Sequence, residues 1–169
     1  MRVAAIHIYP IKGCYRVDAD AAEVQPWGLV GDRRWLIIDP DTGRAITQRE
    51  IPALTQLRPE LLTDGSGLVL RTRGLADLEI REPADGDLTP VSVWSFTGLA
   101  SLAGAAADDW LSTALGQKVR LVWLDDPTRR AVDPEYGRPG NTVSFADGYP
   151  LLLTNTASLR SLNDLIAES

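Results

Sequence analysis

Turn-forming residues recur so closely along the first hundred residues of this chain that only short strands fit between them. Residues 39–43 read Asp-Pro-Asp-Thr-Gly, and residues 64–67 read Asp-Gly-Ser-Gly. Both are turn sequences, because glycine adopts a positive φ without strain and aspartate bonds to nearby backbone N–H groups. They predict hairpins over residues 34–48 and 60–71. Short strands at this spacing are typical of a barrel-like or rolled antiparallel sheet.

Runs of apolar and β-branched residues predict further strands, and two segments have helical spacing. The further strands are residues 3–9, 22–25, 78–81, 90–94, 118–124 and 151–153, the last of them buried. A helix is predicted over residues 99–115, with an apolar stripe of Leu102, Ala106, Trp110 and Ala114. Gly116 follows at the position that commonly ends a helix. A second helix is predicted over residues 156–166, so the expected fold class is α+β, mainly β, with two helices.

Composition and charge exclude several classes of protein. The 169 residues include 17 basic and 23 acidic side chains, a net charge of −6, so a nucleic-acid partner is not expected. No apolar run approaches the roughly 18 residues of a membrane-spanning helix. Strand residues follow Met1 directly, and we therefore expect a cytoplasmic protein with no membrane contact. One cysteine, Cys14, and one histidine, His7, exclude an internal disulfide and a multi-histidine metal site.

Three cationic residues are candidates for binding an anion. Lys12 follows a proline that ends the first strand, Arg33 precedes another strand, and Arg49 lies in the polar segment 47–50. Together they would make a pocket for a phosphate, since arginine and lysine both bind oxyanions. The spacing leaves their convergence open, and a lysine at a strand exit is more often solvated. Arg33 and Arg34 point to opposite faces of the strand that they enter, so we expect one to face a cleft and the other to face solvent.

Two segments near the end of the chain are further candidates. Residues 144–150 read Ser-Phe-Ala-Asp-Gly-Tyr-Pro and predict a turn that presents Asp147 ahead of a strand. The proline-rich loop 126–140 carries Arg129 and Arg130 and is a candidate contact loop for a partner.

Six short segments, taken in order, carry a family resemblance. They read Ile-Tyr-Pro-Ile-Lys-Gly-Cys at 8–14, Gly-Leu-Val-Gly-Asp-Arg-Arg-Trp at 28–35, Thr-Gln-Arg-Glu-Ile-Pro at 47–52, Ala-Asp-Asp-Trp-Leu at 107–111, Val-Arg-Leu-Val at 119–122 and Phe-Ala-Asp-Gly-Tyr-Pro-Leu-Leu-Leu-Thr at 145–154. Their order and spacing resemble the MOSC family, the molybdenum cofactor sulfurase C-terminal domain family. Its members include the mitochondrial amidoxime-reducing components and their bacterial homologues.

The resemblance implies an architecture and an activity. Residues 1–141 correspond to the family's N-terminal β-barrel domain, and residues 142–169 to the opening strand and helix of a truncated MOSC domain. The family includes molybdenum-cofactor-binding oxidoreductases that reduce N-hydroxylated or N-oxygenated small molecules. Their electrons come from a redox partner protein.

The resemblance also implies contacts to the molybdopterin cofactor. Lys12 and Arg33 correspond to residues that contact it, and we add Arg49 as a third cofactor-binding cation. Gly148 and Tyr149 correspond to a second, weaker pterin-contacting stretch, in which the preceding aspartate shapes the turn.

One feature of the family is missing from this sequence. The cysteine ligand to molybdenum lies further along the family's chain, after an Arg-Phe-Arg-Pro-Asn segment, and this sequence stops before both. Cys14 belongs to the first motif instead, and we expect a buried, unreactive thiol. We therefore expect no catalytic or metal-ligating residue here, and no turnover or secure cofactor binding by this chain alone. The alternative is a non-catalytic module that recognises an anionic small molecule or a partner protein.

Overall fold

Short antiparallel strands make up most of the fold. The computed structural model describes residues 2–84 and 86–168. Its strands are β1 (Ile6–Ile8), β2 (Val17–Ala19), β3 (Val24–Gln25), β4 (Gly28–Leu29), β5 (Trp35–Ile38), β6 (Arg58–Leu61), β7 (Gly67–Arg71), β8 (Leu78–Arg81), β9 (Leu88–Val93), β10 (Phe96–Leu102) and β11 (Arg120–Trp123). The helices are α1 (Ala105–Leu115) and α2 (Thr156–Ala167), with short 3₁₀ turns at Pro52–Gln56 and Pro127–Arg129. The expected class is confirmed: the protein is mainly β with two helices, and its antiparallel sheet curls into a half-barrel.

Strand β5 is an unbroken apolar run, and all four of its residues are buried. It lies at the edge of a four-stranded antiparallel sheet with the order β5-β11-β10-β9. Successive side chains of a strand point to opposite faces. Trp35 and Ile37 therefore pack in one core, whereas Leu36 and Ile38 pack in a second. The adjacent strand β11 divides its side chains in the same way.

The two cores are covered by different elements. Helix α1 and the three-stranded sheet β6-β7-β8 close the first core. Strands β9 and β10 close the second, together with the fully buried ring of Phe145. The segment just before Asp147 is thereby fixed to the barrel.

The turn residues correctly predicted where the chain reverses direction in both hairpins. Over residues 60–71, β6 pairs with β7 as expected. Over residues 34–48, Gly43 has a φ of 68°, and an added Cβ would lie 2.3 Å from a carbonyl oxygen of β9. The returning arm is shorter than predicted: it pairs with β5 only through an isolated antiparallel bridge between Ile38 and Ala45. On its other side, the Ala45 N–H donates to the Ser92 carbonyl at 2.9 Å, in β9. The strands predicted at 3–9, 22–25, 78–81, 90–94 and 118–124 correspond to β1, β3, β8, β9 and β11.

The helix predicted over residues 99–115 is wrong in its first part. The chain remains a strand as far as Leu102, since β10 pairs with β9 and β11, and α1 begins three residues later. The buried residues of α1 are Ala107 and Leu111. Of the predicted stripe, Trp110 and Ala114 pack against the same core, whereas Ala106 is exposed. Gly116 ends the helix at a φ of 70°, as expected.

The end of the described chain presents apolar side chains to solvent. The buried strand predicted at residues 151–153 is wrong: the segment is irregular, and Leu152 and Leu153 are 80% and 84% exposed. The helix predicted at 156–166 is confirmed as α2, and its exposed apolar residues are Leu159, Leu162, Leu165 and Ile166. Neither α2 nor any other helix within the described ranges has the length and apolarity to cross a bilayer.

The Leu111→Ala substitution tests the packing of α1. Leu111 is fully buried in the first core, so we expect a loss of about 2–5 kcal/mol in the free energy of unfolding. The matched control is Ala106→Ser on the exposed face of the same helix, for which about 0.5 kcal/mol is expected from helix propensity. Urea denaturation measures both. Equal losses would contradict the observed orientation of the helix.

Candidate functional site

The structure brings Lys12, Arg33 and Arg49 together around one pocket, which we call the cation pocket. Its volume is about 280 Å³. That is enough for a phosphate-sized group and just below the usual range for small-molecule sites. Its other walls include Tyr9, Gln48, Trp94 and Asp147. The spacing of these residues in the sequence did not show whether they converge.

Lys12 reaches the pocket because the chain runs alongside β5 after β1. The Lys12 N–H donates to the Trp35 carbonyl at 3.0 Å, and the Trp35 N–H donates to the Pro10 carbonyl at 3.1 Å. The side chain of Ile11 is buried in the first core. Because that burial turns the neighbouring side chain the other way, the Lys12 side chain enters the pocket, where it is only 15% exposed.

Arg33 is oriented by a buried carboxylate. Asp32 accepts the Tyr9 N–H at 2.8 Å and an N–H of the Arg33 guanidinium. The guanidinium also lies 5.2 Å from the centre of the Tyr9 ring. Arg34 diverges from Arg33 as expected but does not face solvent, because it donates to the Leu124 carbonyl and is partly buried.

Arg49 enters the pocket over an aromatic ring that the sequence did not single out. Its guanidinium lies 5.5 Å from the centre of the Trp94 ring, at the tip of the β9–β10 hairpin. Trp94 and Arg33 have φ values of 55° and 48°, and they are the non-glycine residues with positive φ in the described chain. Such backbone conformations persist where the surroundings enforce them, and they concentrate at functional sites.

Asp147 closes one side of the pocket with its carboxylate. Its Oδ1 accepts a hydrogen bond from Lys12 Nζ at 2.6 Å and another from Trp94 Nε1 at 3.0 Å. The resemblance implied only that Asp147 shapes a turn. The contact lies 135 residues from Lys12 in sequence, so local spacing gave no signal for it.

Arg130 holds the backbone on which Asp147 sits. Its guanidinium donates to the carbonyls of Ser144, Ala146 and Asp147. Arg130 is only 4% exposed and is therefore not available for the partner contact expected of it, whereas Arg129 is exposed. Its guanidinium instead stabilises the backbone of residues 144–147, so the internal role belongs to Arg130 alone.

Burial and neighbouring charges act on the pocket in opposite directions. Burial lowers the pKa of Lys12, as do the positive charges of Arg130 and Arg33, whereas Asp147 raises it. The hydrogen bond from Lys12 lowers the pKa of Asp147. Arg49 has no ion pair among the described residues. The pocket therefore has a surplus of positive charge suited to an anion.

The structure does not bring Gly148 and Tyr149 into the cation pocket. Neither residue lines it. The Tyr149 ring is partly exposed and contacts the Tyr136 ring edge to face, with centres 6.4 Å apart.

Cys14 is the buried thiol that the sequence predicted. Burial raises its pKa, so the thiol is neutral near pH 7. Among the described residues, no group of three or more His, Cys, Asp or Glu side chains could hold a metal ion.

The titration of Lys12 tests the electrostatics of the pocket. With Lys12 and Lys118 the only lysines, dimethylation with a ¹³C label gives two lysine signals, and Lys12→Met identifies one of them. We expect the Lys12 midpoint below the ordinary 10.5, and lower still in Asp147→Asn, because that variant removes the group that raises it. NMR titration measures both. A Lys12 midpoint at or above 10.5 would contradict the burial argument.

Known proteins match this chain over nearly all of its length. Residues 1–118 match the family described as the MOSC N-terminal beta barrel domain. The chain is 32% identical to molybdenum cofactor sulfurase of Anopheles gambiae, over 99% of this chain and 22% of that protein. It is 30% identical to human mitochondrial amidoxime-reducing component 1, over 95% of this chain and 50% of that protein. The chain covers half or less of the length of these relatives. Because the family model matches most of its residues, the chain belongs to the MOSC family.

Proposed function

We propose that this chain is the N-terminal part of a molybdenum-cofactor-binding oxidoreductase that reduces N-hydroxylated or N-oxygenated small molecules. The observation that carries the proposal is the convergence of Lys12, Arg33 and Arg49 on one pocket. These cations come from three separate segments, and most of the Lys12 side chain is buried. The name of one relative, a molybdenum cofactor sulfurase, supports the cofactor, and the name of the other, an amidoxime-reducing component, supports the reaction class.

The residues of the pocket fit the anionic end of a molybdopterin and not its metal. Lys12 supplies a point charge, and Arg33 and Arg49 supply planar donors that match phosphate oxygens. The neutral, buried thiol of Cys14 is unsuited to ligate molybdenum, since thiolates are the ligands. When bound, the cofactor supplies the redox chemistry, while this chain binds and orients its phosphate. Gly148 and Tyr149 stay proposed as weaker contacts to the pterin.

The source of electrons and the turnover of substrate concern a protein longer than this chain. We propose that a redox partner protein supplies the electrons and that this chain alone does not turn over substrate. The net charge of −6 argues against a nucleic-acid ligand. The free thiol suits a reducing compartment, and we propose the cytoplasm.

A non-catalytic binding module is the second candidate. The cation pocket is formed entirely by residues between Tyr9 and Asp147, so this chain could hold a small phosphate-bearing ligand without a metal. In that case the pocket binds anions in every form of the protein, and molybdenum accompanies none of them.

We further propose that residues 142–169 begin a second domain. The exposed apolar face of α2 and the exposed leucines before it are the surface that such a domain would cover. Phe145 is buried in the second core, so the two domains would meet directly, without a flexible linker.

Cofactor analysis tests the oxidoreductase proposal. We expect molybdenum and pterin to co-purify with a form that carries the native downstream sequence, and little to do so with these 169 residues. In the longer form, Lys12→Met removes a charge-assisted contact, so we expect about ten- to hundredfold weaker pterin retention. Lys118→Met, at the exposed second lysine, is the matched control. Arg33→Lys is preferable to Arg33→Ala, because alanine would leave the buried Asp32 unpaired.

Each outcome of that analysis separates the two candidates. Retention that Lys12→Met lowers and Lys118→Met leaves intact supports the cofactor role. Equal losses in both variants would contradict a specific pocket. If both forms fold well and contain neither molybdenum nor pterin, the oxidoreductase proposal is contradicted and the non-catalytic binding module remains.

Hydrogen exchange tests the second domain. An unpacked helix of 12 residues is marginal in water, so we expect fast exchange of the α2 amides in this chain. We expect protection in the downstream-extended form, and Leu162→Gln should reduce it more than the control Asn163→Gln. Mass spectrometry measures the exchange. Equally fast exchange in both forms would contradict the proposed domain.

A further inference from the structure

The Asp147 carboxylate already occupies the position that an anion would take. Lys12 Nζ and Trp94 Nε1 both donate to the same oxygen, Oδ1. Two donors that converge on one carboxylate oxygen can equally converge on one oxygen of a phosphate, which accepts the same kind of charge-assisted hydrogen bond. The protein therefore supplies its own anion to the cation pocket.

The carboxylate can leave while its backbone stays in place. The side chain of Asp147 is 80% exposed, so it can rotate into water without crossing packed atoms. Its backbone carbonyl is held by Arg130 at 3.0 Å, and the neighbouring Phe145 is buried in the second core. The hinge is thus the side-chain torsion of a single residue on a fixed segment.

We propose that Asp147 is a built-in competitor that holds Lys12 and Trp94 until the anionic group of a ligand displaces it. This inference rests on the proposed anion-binding function of the cation pocket. In the ligand-free protein the carboxylate offsets the repulsion among Lys12, Arg33 and Arg130. In the bound protein the anionic group of the ligand takes over that role.

Displacement also frees a tryptophan that lines two neighbouring cavities. A neighbouring cavity of about 230 Å³ shares Lys12, Thr47 and Trp94 with the cation pocket. Its remaining lining consists of two apolar residues, Ala45 and Val93, and two polar ones, Arg44 and Ser92. A phosphate ester could then place its organic part there, next to the phosphate.

Binding of inorganic phosphate to the 169-residue chain tests the competitor. We expect Asp147→Asn to bind phosphate about five- to tenfold more tightly than the unmodified chain, since the competing charge-assisted bond is lost. Asp64→Asn is the matched control: it removes the same charge from an exposed ion pair with Arg81, outside the cation pocket. Its affinity should stay within about twofold of the unmodified chain. Calorimetry measures the affinities, and Asp147→Ser repeats the test with another side chain.

The indole N–H resonance of Trp94 gives a second readout. The Trp94→Phe variant identifies this signal among those of the five tryptophans. We expect phosphate to shift it in the unmodified chain, toward the position it has in ligand-free Asp147→Asn. Phosphate binding without that shift would overturn the displacement of Asp147.

The outcomes separate this inference from the function on which it rests. Phosphate binding that Lys12→Met abolishes, with equal affinities for Asp147→Asn and Asp64→Asn, would overturn the competitor and keep the anion pocket. Weaker binding by Asp147→Asn would also overturn it, because Asp147 would then be a ligand contact. No phosphate binding by the unmodified chain or by either Asp147 variant would overturn both the competitor and the anion-binding role of the cation pocket in this chain.

Discussion

The complete burial of strand β5 is the constraint on which the rest of the structure depends. Its four apolar residues alternate between two cores, so the same strand fixes α1 on one side and the β9–β10 hairpin on the other. A shift of register by one residue would exchange the two sets of side chains and disrupt both cores. The positions of all residues attached to β5 follow from this register.

The cation pocket lies beside β5 because its residues are attached to segments that β5 positions. Lys12 and Arg33 stand next to backbone that is hydrogen-bonded to the strand or leads into it. Trp94 sits at the tip of a hairpin whose inward side chains fill the second core. The charged side chains are therefore positioned by the rigid scaffold to which they are attached, and not by packing against one another.

Local chemistry explains which features the sequence could predict. Gly43 and Gly116 have positive φ where the sequence placed a turn and a helix end, since these conformations depend on one residue. Residues 99–102 fitted a helix in spacing, yet pairing with two distant strands made them β10. The leucines at 151–153 were predicted to be buried because they are apolar, but burial requires a partner surface that local sequence does not reveal.

The same distinction applies to the site. The residues Lys12, Arg33 and Arg49 were identified by type and by resemblance, but their convergence required three segments to fold together. Trp94 read only as the end of a strand, and Arg130 as part of an exposed loop. Their roles come from contacts to Asp147 and its backbone, which are remote in sequence. Nothing in the spacing of either residue indicates such contacts.

The charges around the pocket differ in how permanently they are compensated. A buried charge is costly unless a partner remains with it. Asp32 keeps Arg33 and a backbone N–H, and Arg130 keeps three backbone carbonyls, so neither can exchange its partner without disturbing the fold. Lys12 is nearly as buried, yet its acceptor is a solvent-exposed side chain. Exchange of that acceptor disturbs no core contact. An incoming anion can therefore replace the partner of Lys12 at a lower cost in free energy than the partners of Asp32 or Arg130.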